Sequence, residues 1–166
     1  NLLETELRKP NYRPQVIAMG TNTDPYQPLE KERKITRSIL EVLARFKHPV
    51  SILTKSNLVT RDLDILGPMA EQGLAKVSLS ITTLDHRLAR SMEPRASTPG
   101  RRLDAIKKLK AAGVPTGVMF APAIPGLNDQ EMEAVLEAAV DAGVDEGGYV
   151  VLRLPLEVKD LFQEWL

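Results

Sequence analysis

Residues 99–121, Pro-Gly-Arg-Arg-Leu-Asp-Ala-Ile-Lys-Lys-Leu-Lys-Ala-Ala-Gly-Val-Pro-Thr-Gly-Val-Met-Phe-Ala, decide the fold class. Pro99 suits the first turn of a helix, where its missing N–H would have no intrahelical partner, and Gly113 suits the stop, so a helix is predicted from Pro99 to Ala112. Thr116 to Ala121 is then a short apolar run with the length of a buried strand. The corner between them recurs: Ala112-Gly113-Val114 matches Ala142-Gly143-Val144, which follows a helix predicted over Asp129 to Ala142.

Working outward, strands are predicted at Val16–Gly20, Val50–Thr54, Lys76–Ile81 and Tyr149–Leu154. Leu29 to Phe46 carries Ile35, Ile39, Leu40, Leu43 and Phe46 at helical spacing and ends before Pro49. A helix is predicted from Thr60 to Gln72, with Thr60 as its cap and Gly73 as its stop. A shorter one spans Asp85 to Met92, and a last one follows Pro155. Near-continuous apolar strands alternating with helices imply an α/β fold, a parallel sheet of five βα units covered by helices. A doubly wound open sheet and a (β/α) barrel both satisfy this pattern, although five units are too few to close an eight-stranded barrel. No linker divides the chain, so residues 1–166 are expected to form a single domain.

Lys plus Arg and Asp plus Glu both number 22, which excludes nucleic-acid binding by bulk charge but not a local basic groove. There is no cysteine, which excludes disulfides and thiolate metal sites within this chain. Two histidines, His48 and His86, are too few for a protein-only zinc site, so no metal ligands are assigned. No apolar run reaches the ~20 residues of a membrane helix, and no signal peptide is visible, so a cytoplasmic protein without membrane contact is expected. Residue 1 is Asn, and Val158, Leu161, Phe162, Trp165 and Leu166 give the last stretch an apolar helical face with no stop signal. The chain is therefore expected to be an excerpt of a longer protein, a shorter piece with frayed ends being the alternative.

In parallel α/β folds chemistry sits beyond the C-terminal ends of the strands. There the sequence has Thr21-Asn22-Thr23-Asp24, Thr54-Lys55-Ser56, Ser80-Ile81-Thr82-Thr83-Leu84-Asp85, Pro122-Ala123-Ile124-Pro125-Gly126 and Arg153. Converging on one rim, these groups suit a small ligand with carboxylate, amine and hydroxyl groups. Thr, Asn and Asp after a strand are also ordinary turn and cap residues. Lys55 at a strand end calls for an anion if it points inward, or it is a snorkelling surface lysine. Arg153 points either inward or onto a helix. Glu93-Pro94-Arg95 reads as a rim loop with an internal ion pair. Arg101, Arg102, Lys107, Lys108 and Lys110 read as a solvated helix face, and His48 as a helix-end residue.

Together, residues 20–28, Thr54-Lys55-Ser56, residues 80–85, Met92-Glu93-Pro94-Arg95-Ala96 and residues 119–125 resemble the radical S-adenosylmethionine superfamily, in an uncharacterised subgroup of the spore photoproduct lyase-like branch. The resemblance runs from about Val16 to Leu166. It implies a truncated (β/α)6 partial barrel. It also implies S-adenosylmethionine and a 4Fe-4S cluster as cofactors, and cleavage of S-adenosylmethionine to a 5′-deoxyadenosyl radical that abstracts hydrogen from a substrate. By position, Thr21, Asn22, Thr23 and Asp24 lie where the family has a Gly-Gly-Glu for the methionine amine, and this sequence lacks that motif. Lys55 would pair with the methionine carboxylate, and Ser80 and Thr82 with ribose or carboxylate oxygens. Pro122 and Ile124 fall in the counterpart of a GxIxGxxE segment that supports adenine, which the backbone near Leu152 and Arg153 would also face. No catalytic residue is assigned.

The family's first strand and CxxxCxxC cluster loop would precede Asn1 and a tail would follow Leu166, so this chain alone is expected to be inactive and to hold no cluster. The resemblance further implies a flavodoxin or ferredoxin as electron donor and a substrate that could be damaged DNA, by lyase- or oxidoreductase-type chemistry. The residues alone leave two alternatives: an aldolase-like lyase with Lys55 as Schiff-base nucleophile, and a non-catalytic nucleotide-binding module.

Overall fold

The computed structural model describes residues 2–156 and 158–166. Its centre is three strands whose side chains are buried or half-buried throughout: β2 (Val50–Thr54), β3 (Ala75–Ser80) and β4 (Thr116–Ala123). β1 (Ile17–Met19) and β5 (Glu146–Val151) are the more exposed edges. All neighbours pair in parallel, in the order β1-β2-β3-β4-β5. That order settles the sequence ambiguity. A doubly wound sheet reverses direction at a switch point, whereas consecutive right-handed crossovers put every helix on one face and curl the sheet toward a barrel. The sheet is an open arc, with β1 and β5 unpaired to each other.

The helices are α1 (Leu2–Leu7), α2 (Glu30–Arg33), α3 (Ile35–Arg45), α4 (Leu63–Glu71), α5 (His86–Met92), α6 (Pro99–Ala111), α7 (Met132–Ala142) and α8 (Val158–Trp165). Leu40 and Leu43 of α3, Leu66 and Met69 of α4, Ile106 and Leu109 of α6, and Val135 and Ala139 of α7 join Ile52, Val77, Leu79, Val118 and Phe120 in one core. No helix among the described residues is long and apolar enough to cross a membrane.

Several elements differ from the expectations. The helix expected over Leu29–Phe46 is two, because Lys34 adopts a left-handed φ of 51°. The carboxylate of Glu30 accepts the N–H groups of Ile35 at 2.8 Å and Thr36 at 3.1 Å, restarting the helix. The expected Thr60 cap is instead Ser56, which opens a 3-10 turn at Asn57–Asp62 ahead of α4, while the Thr60 hydroxyl donates to Asn57 O. Residues 129–131 likewise form a 3-10 turn before α7. The fifth strand ends at Val151 rather than Leu154. Its pairing begins at Glu146 opposite Gly117 and runs through Gly147 and Gly148, residues whose sequence signal is that of a turn. α1 has no counterpart among the predicted elements.

Candidate functional site

The loop after β1 leaves the sheet at Gly20, whose φ is +101° and where a Cβ would stand 1.9 Å from Leu53 O. Only glycine fits, and the chain can therefore fold over the end of β2. Asp24 then ties the two strands together. Its Oδ1 accepts Tyr26 N–H at 2.8 Å and the Thr54 hydroxyl at 2.6 Å, and its Oδ2 accepts Lys55 N–H at 2.7 Å. Tyr26, 2 % exposed, donates its hydroxyl to the fully buried Asp62 at 3.0 Å, and Asp62 also pairs with Arg37 and Arg61. Burial first, and the Asp62 charge second, push the Tyr26 phenol well above its ordinary pKa, so it stays a donor.

Lys55 is held on both sides of its backbone, since its carbonyl accepts Ser97 N–H at 3.1 Å from the α5–α6 loop. Its ammonium lies 2.6 Å from Glu93 Oε1. Glu93 Oε2 accepts from Arg102 Nη2 at 2.5 Å. Arg102 is not on a solvated face. It is 1 % exposed and donates to Ser97 O and Ser80 O, each at 2.7 Å. The ion pair expected inside the Glu93-Pro94-Arg95 loop is replaced by these two contacts. Glu93 Oε1, although close to the Lys55 ammonium, has no donor aligned on it for a hydrogen bond.

Across the mouth the ends of β3 and β4 are clamped by Asn128, which is fully buried. Its Oδ1 accepts Ile124 N–H at 2.7 Å, and its Nδ2 donates to Thr82 O at 2.7 Å and Pro122 O at 3.0 Å. The Ser80 hydroxyl donates to Ala121 O at 3.1 Å. The Thr82 hydroxyl is buried without a partner. Leu152 N–H reaches Ala123 O at 2.8 Å, which brings the chain after β5 beside the same strand end. His48 is buried and bonded to Tyr12 Oη at 2.7 Å.

Two cavities open at this end and share Lys55, Met92 and Glu93. One, of about 520 Å³, includes Thr23 and Asp24; the other, of about 400 Å³, includes Pro122, Ile124, Phe162 and Trp165. A larger cleft, of about 670 Å³, lies between α3 and α4 and takes in no strand end. Of the ten predicted site residues, Thr23, Asp24, Lys55, Pro122 and Ile124 thus line the mouth. Ser80 and Thr82 are buried at the end of β3 and line neither cavity, and Thr21 and Asn22 are exposed and line neither. Arg153 is exposed beyond the end of β5, because that strand stops earlier than expected. Glu93 as a site residue, Arg102 and Asn128 were not anticipated. Glu93 lies in the Met92 to Ala96 segment that carries the resemblance, and Arg102 stands three, four and seven residues before the buried Ala105, Ile106 and Leu109, a helical spacing that puts it on the core face. Among the described residues no group of three His, Asp or Glu side chains could hold a metal ion.

A family model described as the Radical SAM superfamily matches residues 3–139. The chain belongs to that superfamily. A radical SAM chain of this length covers part of its relatives only. It is 36% identical over 167 residues to an uncharacterized protein of Mycobacterium tuberculosis, covering 99% of this chain and 49% of that protein. It is 36% identical over 115 residues to an uncharacterized protein of Methanocaldococcus jannaschii, covering 69% and 43%. The chain therefore spans about half the length of the curated relatives it matches. The same fold occurs in a spore photoproduct lyase with bound AdoMet and dinucleoside spore photoproduct, at TM-score 0.70 and 16% identity, covering 99% of this chain and 48% of that one. It also occurs in Streptococcus suis SuiB, at TM-score 0.61 and 13% identity, covering 90% and 36%. An iron-sulfur cluster is expected in this superfamily, and this chain has no cysteine to ligate one.

Proposed function

We propose that the protein to which this chain belongs binds S-adenosylmethionine at the mouth shared by the two cavities and abstracts hydrogen from a second substrate. Lys55 carries this reading: a half-buried ammonium, fixed through both its N–H and its carbonyl, at the junction of the cavities in a radical SAM chain. Its side chain would take the methionine carboxylate. The unpartnered Thr82 hydroxyl would donate to a ribose or carboxylate oxygen, and Ser80, whose hydrogen goes to Ala121 O, would accept from a ribose hydroxyl. Pro122, Ile124 and the backbone at Leu152 and Arg153 would border adenine. Thr21, Asn22 and Thr23 would close the loop side without direct charge. Bound S-adenosylmethionine supplies the 5′-deoxyadenosyl group for hydrogen abstraction. A 4Fe-4S cluster finds no ligand in this chain, so in this reading the cluster, and docking of a flavodoxin or ferredoxin donor, belong to the rest of the parent.

On this reading residues 1–166 are one incomplete partial-barrel domain of a cytoplasmic enzyme, inactive as the isolated chain. The Schiff-base alternative is disfavoured because the Lys55 ammonium is engaged by Glu93, and a nucleophilic lysine needs its free electron pair. For the second substrate a nucleic acid is favoured by Arg90 and Arg95, exposed residues beside Glu93 that form no ion pair among the described residues. The full-length protein, reconstituted anaerobically, is expected to show cluster absorbance and to release 5′-deoxyadenosine on reduction, and Lys55→Met to weaken S-adenosylmethionine binding. Absence of both products in the wild type would reject the reading. Salt-dependent binding of an oligonucleotide, weakened by Arg90→Ala with Arg95→Ala, tests the substrate class.

A further inference from the structure

Beside the mouth, between α5 and the start of α6, lies a separate hollow of about 480 Å³. It shares Glu93, Pro94 and Ala96 with the cavity that contains Asp24, so one strip of chain walls both. Arg87 and Arg90 line the hollow, and Arg95 lines the mouth. Residues three apart on a helix share a face, so Arg87 and Arg90 present two guanidinium forks together. All three arginines are exposed, and none forms an ion pair among the described residues. The nearby carboxylates are engaged elsewhere. Asp85 Oδ1 accepts the N–H groups of Arg87 at 2.6 Å and Leu88 at 3.2 Å, and Glu93 is matched by Lys55 and Arg102. Thr98 also lines the hollow, and its hydroxyl makes no capping bond to α6. The shared wall is fixed. Ser97 N–H donates to Lys55 O at 3.1 Å, Ser97 Oγ accepts Asn57 N–H at 2.8 Å, and Arg102 Nε donates to Ser97 O at 2.7 Å. Hollow and mouth are therefore held at a set separation, as a two-part site needs.

We propose that this hollow is a phosphate seat for the second substrate. Arg87 and Arg90 hold one phosphate group outside the mouth, Thr98 donates to it, and the reacting part of the substrate passes Arg95 into the mouth. Guanidinium forks match phosphate oxygens two at a time, which a lysine pair does not. The phosphate is a diester in a nucleic-acid strand or an ester of a small molecule; the chemistry at the seat is the same. The inference rests on the reading that a second substrate enters the mouth, and it assigns that substrate's anion to a hollow separate from the cavities proposed for S-adenosylmethionine.

The test is equilibrium binding to the full-length protein of a single-stranded oligonucleotide, the same strand with an uncharged methylphosphonate backbone, and inorganic pyrophosphate. Arg87→Ala with Arg90→Ala is expected to weaken the oligonucleotide by about tenfold or more, the scale of one charge-assisted contact. The slope of log affinity against log salt should fall by about 0.7, the value for one phosphate on a single strand. Lys107→Ala with Lys108→Ala removes the same charge from exposed positions of α6 that line neither hollow nor mouth, and should leave affinity and slope unchanged. The methylphosphonate strand should be insensitive to the arginine pair, and pyrophosphate should compete with the oligonucleotide on the wild type. Equal losses from the arginine and lysine pairs, or an unchanged slope for the arginine pair, overturn the seat. So does an arginine pair that weakens only the binding of an acidic flavodoxin. Pyrophosphate binding that depends on Arg87 and Arg90, with no oligonucleotide binding, keeps the seat, makes its source a small phosphate ester and rejects the nucleic-acid reading. No arm contains S-adenosylmethionine, so failure to release 5′-deoxyadenosine rejects that reading on its own.

Discussion

Asp24 receives hydrogen bonds from Tyr26, Thr54 and Lys55, so its role is felt one residue away from any ligand. Asp24→Ala leaves two N–H groups and a hydroxyl without their acceptor in a partly buried loop, and the expected loss is about 1–3 kcal/mol of stability. Urea unfolding measures it, and Asp24→Asn, which keeps one oxygen, should lose less. Glu30 gives a pH prediction. Burial pushes its carboxyl upward, but the Arg61 guanidinium and the N–H groups of Thr36, Arg37 and Ile35 together hold it below its ordinary value of 4.5. A folded-state pKa below the unfolded one means that protonation favours unfolding. The stabilisation is therefore complete above about pH 4.5 and is lost as the pH falls through the depressed value. Glu30→Gln should be less stable than the wild type at neutral pH, with the gap shrinking in acid. Urea midpoints measured at neutral pH and on acidification check the sign.

At the scale of elements, the join between β1 and β2 depends on Gly20, and Gly20→Ala puts a methyl 1.9 Å from Leu53 O at a φ of +101°. An expected cost of about 3 kcal/mol places it at the severe end of single substitutions, measurable by thermal or urea unfolding. Arg102→Met in α6 leaves Glu93 buried and lacking one of its two cations, for an expected loss of about 3–5 kcal/mol. Adding Glu93→Gln should restore part of that loss, and the urea midpoints of the two variants compare them directly. These two positions also mark what was legible. β2 was readable to the residue because Val50, Ile52 and Leu53 form a short β-rich segment bounded by Pro49 and Lys55, too short for a helix. Gly147-Gly148 hid the start of β5 because a strand there gains its stability from pairing with β4, which local pattern does not report. Arg102 was legible in part, since its spacing to Ala105, Ile106 and Leu109 places it on the core face of α6, but its partners were not. Its neighbours on α6 are exposed lysines and arginines, and only the tertiary approach of Ser80, Ser97 and Glu93 supplies its acceptors. The strand-end rule did bring Thr23, Asp24, Lys55, Pro122 and Ile124 to one mouth, but it does not say which of two adjacent hydroxyls faces a cavity.

For the whole molecule, consecutive strand order bends the sheet into an arc whose ends do not meet, and one patch of exposed apolar surface lies at its β5 edge. Tyr149, Val150 and Val151 are 63%, 46% and 51% exposed, and Val140 on the neighbouring α7 is 65% exposed. Between α7 and β5 lies a hollow of about 320 Å³ lined by Val118, Leu136, Val140 and Val144. An edge strand with open N–H and C=O groups beside apolar side chains is a template for pairing with another chain. Net charge offers little resistance, since positive and negative side chains balance. The 166-residue chain on its own is therefore expected to self-associate in sedimentation velocity as concentration rises. Val140→Lys with Val150→Lys should shift it toward monomer, because each lysine places charge where a partner strand or helix would have to bury it. Both positions are exposed, so the fold should survive, with far-UV circular dichroism unchanged. A wild-type chain that stays monomeric at all concentrations would show that the apolar hollow beside β5 is too small to hold two copies together.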